Sequence, residues 1–589
     1  MIFWERLLPW VISHIGALRI GLIWITITVA AAISVALVVG RAAAPISQEA
    51  TQRPLGLALR RRQVLTPSTV ATLALLATFI TSYIALMVAW EAFAYYDDSL
   101  FNLVTLKGHN IQLFVVTEGG RFQPLAFQEF NLVRHFTNTI TGYQVLPIVQ
   151  FLIISAIILI LDDEISIIAR GILLISMLLT PSILASFTNL LASERSFLFF
   201  LVFFVLSIKC FEQSQSIASA ISTVIFAQLM IYSKETAFLL LLGFAVSRLM
   251  LRCATIHFDF GRLWVRESRL DLVLFCLAAL FLSFYFGVMG IHGNMNYAVR
   301  ARLPRADVVL GYIRVDLLPW LLMGVLLARI YLILRHRVAP LLFWDGLAAG
   351  GVACFFAYIY LSMFRVHYPA PVDLIAVLYV GRFVVLLWEK VPSWAKPAVT
   401  AAALIVLCQD ILVSAFVVFE RKDVIQGKTR IASAVQAQYR RDPEKRIRLF
   451  FPFAGDYVIE EFGAYLSSLG VPVEGATDES GPNGVVLTGT SRGSAKDSPC
   501  VEWTSITCHF APGPTPGDLV IVLPDDEASL AKVSAYRDKG VALFYSEPRL
   551  PIPHWLHSLF DSLPVDAAGA YRYGPLPDRW MDASVTKWQ

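Results

Sequence analysis

Apolar stretches long enough to cross a lipid bilayer as helices recur along most of this chain, and a water-soluble fold cannot accommodate so many of them. A helix needs about 20 mostly apolar residues to span the hydrocarbon core. Twelve candidate spans meet or approach that length, near residues 17–40, 68–94, 145–161, 165–185, 197–209, 216–232, 236–250, 271–290, 317–334, 340–363, 374–389 and 396–419. The composition agrees, with 57% hydrophobic and only 16% charged residues. Asp, Glu, Lys and Arg are nearly twice as dense from residue 421 onward as before it. The chain therefore reads as an α-helical polytopic membrane domain of about twelve helices followed by a small α/β domain. Its parts are an amino-terminal segment, 1–67, with an interfacial stretch, the first span and a basic loop; a membrane domain, 68–420; and a soluble domain, 421–589. A net charge of +4 without a long Lys/Arg run excludes a nucleic-acid partner and leaves the lipid bilayer as the first one.

Orientation follows from the positive-inside bias of short loops. Arg41, Arg53, Arg60, Arg61 and Arg62 follow the first span, Arg252, Arg262, Arg266 and Arg269 the seventh, and Arg335 and Arg337 the ninth. All three connections follow odd-numbered spans, which places them together in the cytoplasm and both termini outside. The expected location is the cell (inner) membrane, with the C-terminal domain extracytoplasmic. Ala42 to Ala44 resemble a signal-peptide cleavage site, but cleavage there would export the five-arginine segment. Two of the seven cysteines, Cys500 and Cys508, lie in the soluble domain, where a disulfide or two buried thiols would both fit.

The outer-face connections carry the unusual residues. Asp97 and Asp98 end the second span, against the helix-dipole preference for cations there. The loop that follows contains Gly119-Gly120-Arg121-Phe122-Gln123-Pro124-Leu125 and Gln128-Glu129. Ser193-Glu194-Arg195 and Ser233-Lys234-Glu235 lie in later outer turns, where solvated or dipole-matched pairs would also account for them. Arg300 and Arg302 break the positive-inside expectation, as does Arg365 beside His367; outward arginines suit phosphate, whose oxygens take paired guanidinium hydrogen bonds. Within the bilayer, Arg382 and Asp410 are expected to pair as structural glue, and Asp162-Asp163-Glu164 to start a helix without chemistry.

Outward carboxylates, outward cations and an external domain fit a reaction at the membrane interface whose leaving group is a lipid phosphate. One carboxylate would take the proton of an acceptor hydroxyl. Cations would neutralise the departing phosphate as the glycosidic bond breaks.

On the Tyr96-Asp97-Asp98, Gly120-Arg121-Phe122-Gln123-Pro124-Leu125 and Ser233-Lys234-Glu235 motifs, residues 68–420 resemble the GT-C superfamily of membrane glycosyltransferases, which includes protein O-mannosyltransferases and the aminoarabinose transferase of lipid A. The resemblance implies an inverting transfer from a polyprenyl-phosphate sugar to a glycan, lipid or protein acceptor. It makes Asp97 or Asp98 the base, and Arg121, Lys234, Arg300 and Arg365 phosphate ligands. Glu129, Glu194, Arg195, Glu235, Arg302 and His367 complete the candidate substrate-binding set. The chain departs from the usual pattern in carrying an extra span before the aspartate-bearing loop. Some relatives bind a divalent metal; no ligand cluster in this sequence points to one, and no other cofactor is implied. The competing readings are a secondary transporter, a polymerase or ligase of lipid-linked glycans, and a non-catalytic assembly subunit.

Overall fold

The computed structural model describes residues 67–89, 111, 114–116, 121–137, 140–162, 164–188, 192–255, 266–289, 304–441, 447–451, 462, 465–466, 469–471, 473–478, 508–511, 514–522, 540–546 and 583–588. Asp97, Asp98, Arg300, Arg302, Cys500 and the expected span at 17–40 lie outside these residues. Residues 484–488 and 528–537, whose sequences read as a strand and a helix, lie outside them too.

The described membrane region consists of α1 (Pro67–Ala89), a hairpin of β1 (Phe114–Val116) and β2 (Arg121–Gln123), a short α2 (Gln128–Val133), and then helices α3 (Ile140–Leu161), α4 (Ile167–Leu178), α5 (Pro181–Thr188), α6 (Ser193–Ser214), α7 (Ile217–Ser233), α8 (Ala237–Thr255), α9 (Arg266–Met289), α10 (Arg305–Val315), α11 (Leu318–Leu334), α12 (Leu342–Tyr360), α13 (Ala370–Leu387) and α14 (Lys396–Arg441). Six helices among the described residues are long and apolar enough to cross a membrane, or eight if each of two bent pairs counts as one span. The chain is a multi-pass membrane protein.

The twelve expected spans are thus not twelve straight helices. Residues 165–185 form the pair α4/α5, bent by 69°, and the span at 317–334 is one arm of α10/α11, bent by 97°. Proline explains where the bends fall. Pro181 disfavours helical geometry in the residue before it, and Pro319 sits in the first turn of α11 just after the extended Asp316. Of the other expected spans, α7 at 17 residues is a shorter apolar helix.

Exposure separates lipid-facing from central helices. Only 17% of the apolar window of α1 and 11% of that of α14 is buried, so both turn their apolar faces outward, whereas 67% of α12 is packed inside. The tightest crossing is between α8 and α12. A Cβ on Gly350 would stand 2.5 Å from the Leu240 carbonyl oxygen, and one on Gly346 2.6 Å from the Arg248 side chain. The Gly346-Leu-Ala-Ala-Gly350 spacing puts both glycines on one face, the small-residue pattern that lets membrane helices approach backbone to backbone.

Chain direction defines two ends of the bundle. Helices α6, α8, α11 and α13 start at one end, called proximal here, and α4, α7, α12 and α14 run back toward it from the distal end. The distal end is stapled by ion pairs. Arg248 bonds Asp271 at 2.7 Å and also Glu212, Arg252 reaches Asp271 at 3.0 Å, and Arg329 holds Asp345 at 2.7 Å.

Arg382 belongs to this set, which corrects the expected pairing with Asp410. Its guanidinium bonds Asp162 and, at 2.5 Å, Glu164. The reason is depth. Arg382 lies about 18 Å below the start of α13, close to the distal end, while Asp410 lies about 21 Å along α14 from that same end, at 1.5 Å per residue. Asp162 and Glu164 are also not the helix start expected of them, because Ser166 caps α4 by accepting from Ala169 N at 3.2 Å.

Helix α14 spans 46 residues, about 69 Å and roughly twice the hydrocarbon thickness. It leaves the bundle at the proximal end, and its last turns enter a second core. There Ile431, Ala432 and Val435 pack against Leu449, Phe451, Leu519 and Ile521. The boundary expected at residue 421 falls inside this helix. The sheet consists of β3 (Ile447–Phe451), β4 (Val473–Asp478), β5 (Cys508–Ala511), β6 (Leu519–Val522), β7 (Gly540–Ser546) and β8 (Ala583–Trp588), in the order β5-β4-β3-β6-β8-β7. The pairs β3/β4, β3/β6 and β4/β5 are parallel, and β8 runs antiparallel to both β6 and β7. Pairing at the centre of the sheet is parallel. The closing strand β8 was not foreseen.

Candidate functional site

Charged side chains from four separate segments meet at the proximal end. Glu194, in the first turn of α6, is only 1% exposed, and its carboxylate bonds the Lys234 ammonium at 2.7 Å. An acid in that turn also lies in the favourable field of the helix N-terminus. Lys234 caps the end of α7, 4% exposed, and donates a second bond to Ser193 Oγ at 3.1 Å. Its Nζ also sits 5.0 Å from the centre of the Tyr368 ring, a cation–π contact. His367 brings Nε2 to 3.8 Å from the other oxygen of Glu194, an ion pair whenever the imidazole is protonated.

A second pair adjoins the first. Arg195 is fully buried, donates to Gln150 Oε1 of α3 at 2.8 Å, and lies 3.5 Å from Glu129 of α2. Ser196 Oγ donates to the same Glu129 oxygen at 2.6 Å, and the guanidinium stands over Phe130 at 5.7 Å. The hairpin segment is tied to this end as well. Leu125 N donates to Tyr232 O at 3.0 Å, and Phe122 packs edge-on against Tyr232.

Aromatic and hydroxyl groups set the geometry around the charges. Thr236 Oγ1 and Tyr358 Oη lie 3.0 Å apart, and Tyr358 stacks on Tyr368 with ring centres 5.3 Å apart. The close α8/α12 crossing brings Thr236 and Tyr358 into register, so the glycine packing positions the polar cluster above it.

The structure therefore brings together Glu129, Glu194, Arg195, Lys234 and His367 from the sequence-derived set. Glu235 and Arg365 are half-buried in the same two turns as Lys234 and His367. Arg121 is placed as the first residue of β2, in register with Val116. Gln150 and Tyr358 are among the partners that carried no role in the sequence reading. A glutamine inside an otherwise apolar span was the available signal for the first; nothing in the sequence marked the second.

Chemically, the cluster is, among the described residues, a network of alternating charges. Glu129 faces Arg195 and Glu194 faces Lys234, leaving His367, with 19% of its side chain exposed, as the group at the open edge. An entering anion would meet His367 first and could then compete with Glu194 for Lys234. Among the described residues, no group of three or more His, Cys, Asp and Glu side chains is placed to hold a metal ion. Compared with known proteins, the chain matches no family model and no curated sequence.

Proposed function

We propose that this chain is a membrane glycosyltransferase of the GT-C kind, which moves a sugar from a polyprenyl-phosphate carrier to an acceptor hydroxyl at the proximal end of the bundle. One observation carries the reading. Four segments picked out in the sequence, around Glu129, Glu194, Lys234 and His367, are far apart in the chain yet converge at the end toward which α14 carries the soluble domain.

In the proposed reaction, Asp97 or Asp98 accepts the proton of the acceptor hydroxyl. The acceptor oxygen forms a bond to the anomeric carbon while the bond to the phosphate oxygen breaks, with inversion. The electron pair leaves on the lipid phosphate, whose added charge is met by Lys234, by His367 when protonated, and by the arginines of the same end. Buried cations suit this role because a water-poor site strengthens their interaction with developing charge. Orientation in the cell (inner) membrane, with this end extracytoplasmic, follows from the arginine-rich distal connections.

The test is transfer from a polyprenyl-phosphate sugar by purified, monodisperse protein. Asp97→Asn or Asp98→Asn should lower turnover by about 10² to 10⁴, the usual contribution of a positioned base. Near-normal turnover in both variants would refute the mechanism.

A further inference from the structure

The turn that carries His367 draws its support from a neighbouring helix. Residues 361–369 join α12 to α13 without helix or strand, and Ser362 sits at φ 55°, a left-handed conformation that glycine alone adopts without steric cost. The support comes from α10. At 97° to α11, this helix runs across the proximal end of the bundle instead of along it. Its buried residues Val308, Tyr312 and Val315 follow the i, i+4, i+7 spacing of a single face. There the Tyr312 hydroxyl donates to Met363 O at 3.0 Å, and its ring meets the Phe364 ring edge-on with centres 4.9 Å apart. A Cβ on Gly311 would stand 2.9 Å from the Phe364 ring, so the lack of a side chain lets α10 lie directly on the turn. Three residues beyond Phe364, His367 packs edge-on against Tyr368 and reaches Glu194.

Helix α14 holds the other end of α10. A helix leaves its last four carbonyls without partners inside itself, and away from water each needs a donor from elsewhere. Gln409 serves two of them. Its amide donates to the carbonyls of Ile313 and Arg314, in the last turn of α10, at 2.8 and 2.7 Å. Ile313 directly follows Tyr312, so these bonds fix the backbone beside the residue that touches the turn. About 33 Å further along α14, at 1.5 Å per residue, Ile431 lies in the core of the soluble domain.

We propose that Gln409 is a positioning residue for His367. By capping α10 it keeps Tyr312 seated on Met363 and Phe364, and through them it sets the turn where His367 can pair with Glu194 and meet an entering phosphate. The soluble domain thereby shares a continuous helix with the part that places His367. The role toward phosphate rests on the transfer reaction proposed above; the placement of the turn does not.

Hydrogen–deuterium exchange of the full-length protein in lipid nanodiscs reads the placement. Gln409→Leu, which removes both donors, should speed exchange by about 10-fold across residues 310–316 and 362–369 and leave residues 342–350 of α12 unchanged. Ser414→Ala is the control. Its hydroxyl bonds Leu179 O at the other bend, at 2.6 Å, so its loss should leave exchange at 362–369 as in the wild type. Transfer from a polyprenyl-phosphate sugar by the same proteins reads the function. Gln409→Leu should lower turnover by about 10-fold, less than the roughly 10²-fold that a 1 Å misplacement can cost. In a His367→Gln background it should lower turnover no further, because residues that act through one contact are not additive, whereas a merely structural defect would add. Should Gln409→Leu fail to fold, Tyr312→Phe removes the next bond toward the turn and carries the same expectations for residues 362–369 and for turnover. Unchanged exchange at 362–369, faster exchange over the whole bundle, or additive losses of turnover would overturn the inference. Absence of transfer by the wild type would refute the reaction proposed above, and the exchange result would then decide the placement alone.

Discussion

The two ends of the bundle use the same residue types for different ends. Distal charges join one helix to another, from within helices or one residue past a helix end: Arg382 of α13 to Asp162 just after α3, Arg248 to Asp271 across α8 and α9, Arg329 to Asp345 across α11 and α12. Proximal charges sit on helix ends and turns, where hydroxyls and aromatic rings give each cation a second contact. A cation saturated by carboxylates on packed helices can only hold those helices together. Lys234, held among the described residues by a carboxylate, a hydroxyl and a ring, sits at a helix end, where exchanging a partner does not require unpacking a helix. On the function proposed above, the distal end supplies stability and the proximal one chemistry.

The largest effect expected from breaking this contrast is at the distal end. Arg382→Leu takes the bonded guanidinium from buried Asp162 and leaves the longer pair with Lys209 at 3.5 Å, and losing one partner of a buried pair costs up to about 3–5 kcal/mol. Thermal unfolding in detergent should show the loss, and the further change Asp162→Leu should restore part of it. A double variant as unstable as the single one would mean that Arg382 acts by packing on Trp344, 5.0 Å away, and not by charge.

At the proximal end, Glu194→Gln keeps the shape of the network while removing the charge opposite Lys234. Transfer should drop by about 10²-fold, the lower end for a lost electrostatic contact, with the melting temperature nearly unchanged. A large loss of stability with retained turnover would move this pair into the stapling class.

Packing between the ends gives a smaller effect. Gly350→Ala drives a methyl against the Leu240 carbonyl and should destabilise by about 1–3 kcal/mol. Gly324, whose added Cβ meets nothing within 4 Å, is the control, and its change to Ala should be neutral or slightly stabilising. Smallest of all, His367→Gln should lower stability by no more than about 1 kcal/mol, since its ion pair is partly exposed. Its effect on turnover should be larger at acidic than at alkaline pH, because only protonated His367 pairs with an anion.

Much of the candidate site was legible because charges interrupt apolar spans. Glu194, Arg195 and Lys234 stand out against dozens of neighbouring Leu, Phe and Ile residues, and the turns that hold them follow from where the spans end. Gln150 and Tyr358 did not stand out. Their partners lie 45 and 122 residues away, and periodicity carries no information about contacts at that range. Arg382 was legible as a buried charge needing a partner, but not as the partner of Asp162, 220 residues distant.

The sequence by itself determined that this chain spans a membrane several times, because in hydrocarbon the backbone must satisfy its own hydrogen bonds and only long apolar helices do so. It also determined which turns share one face, because each span reverses the chain. Only the tertiary structure decided which charges pair, where two spans break, and that α14 runs unbroken into the sheet. Those outcomes depend on helix rotation and depth. Lipid offers little preference between one apolar face and another, so close packing at Gly350 and the need of each buried charge for a partner settle them.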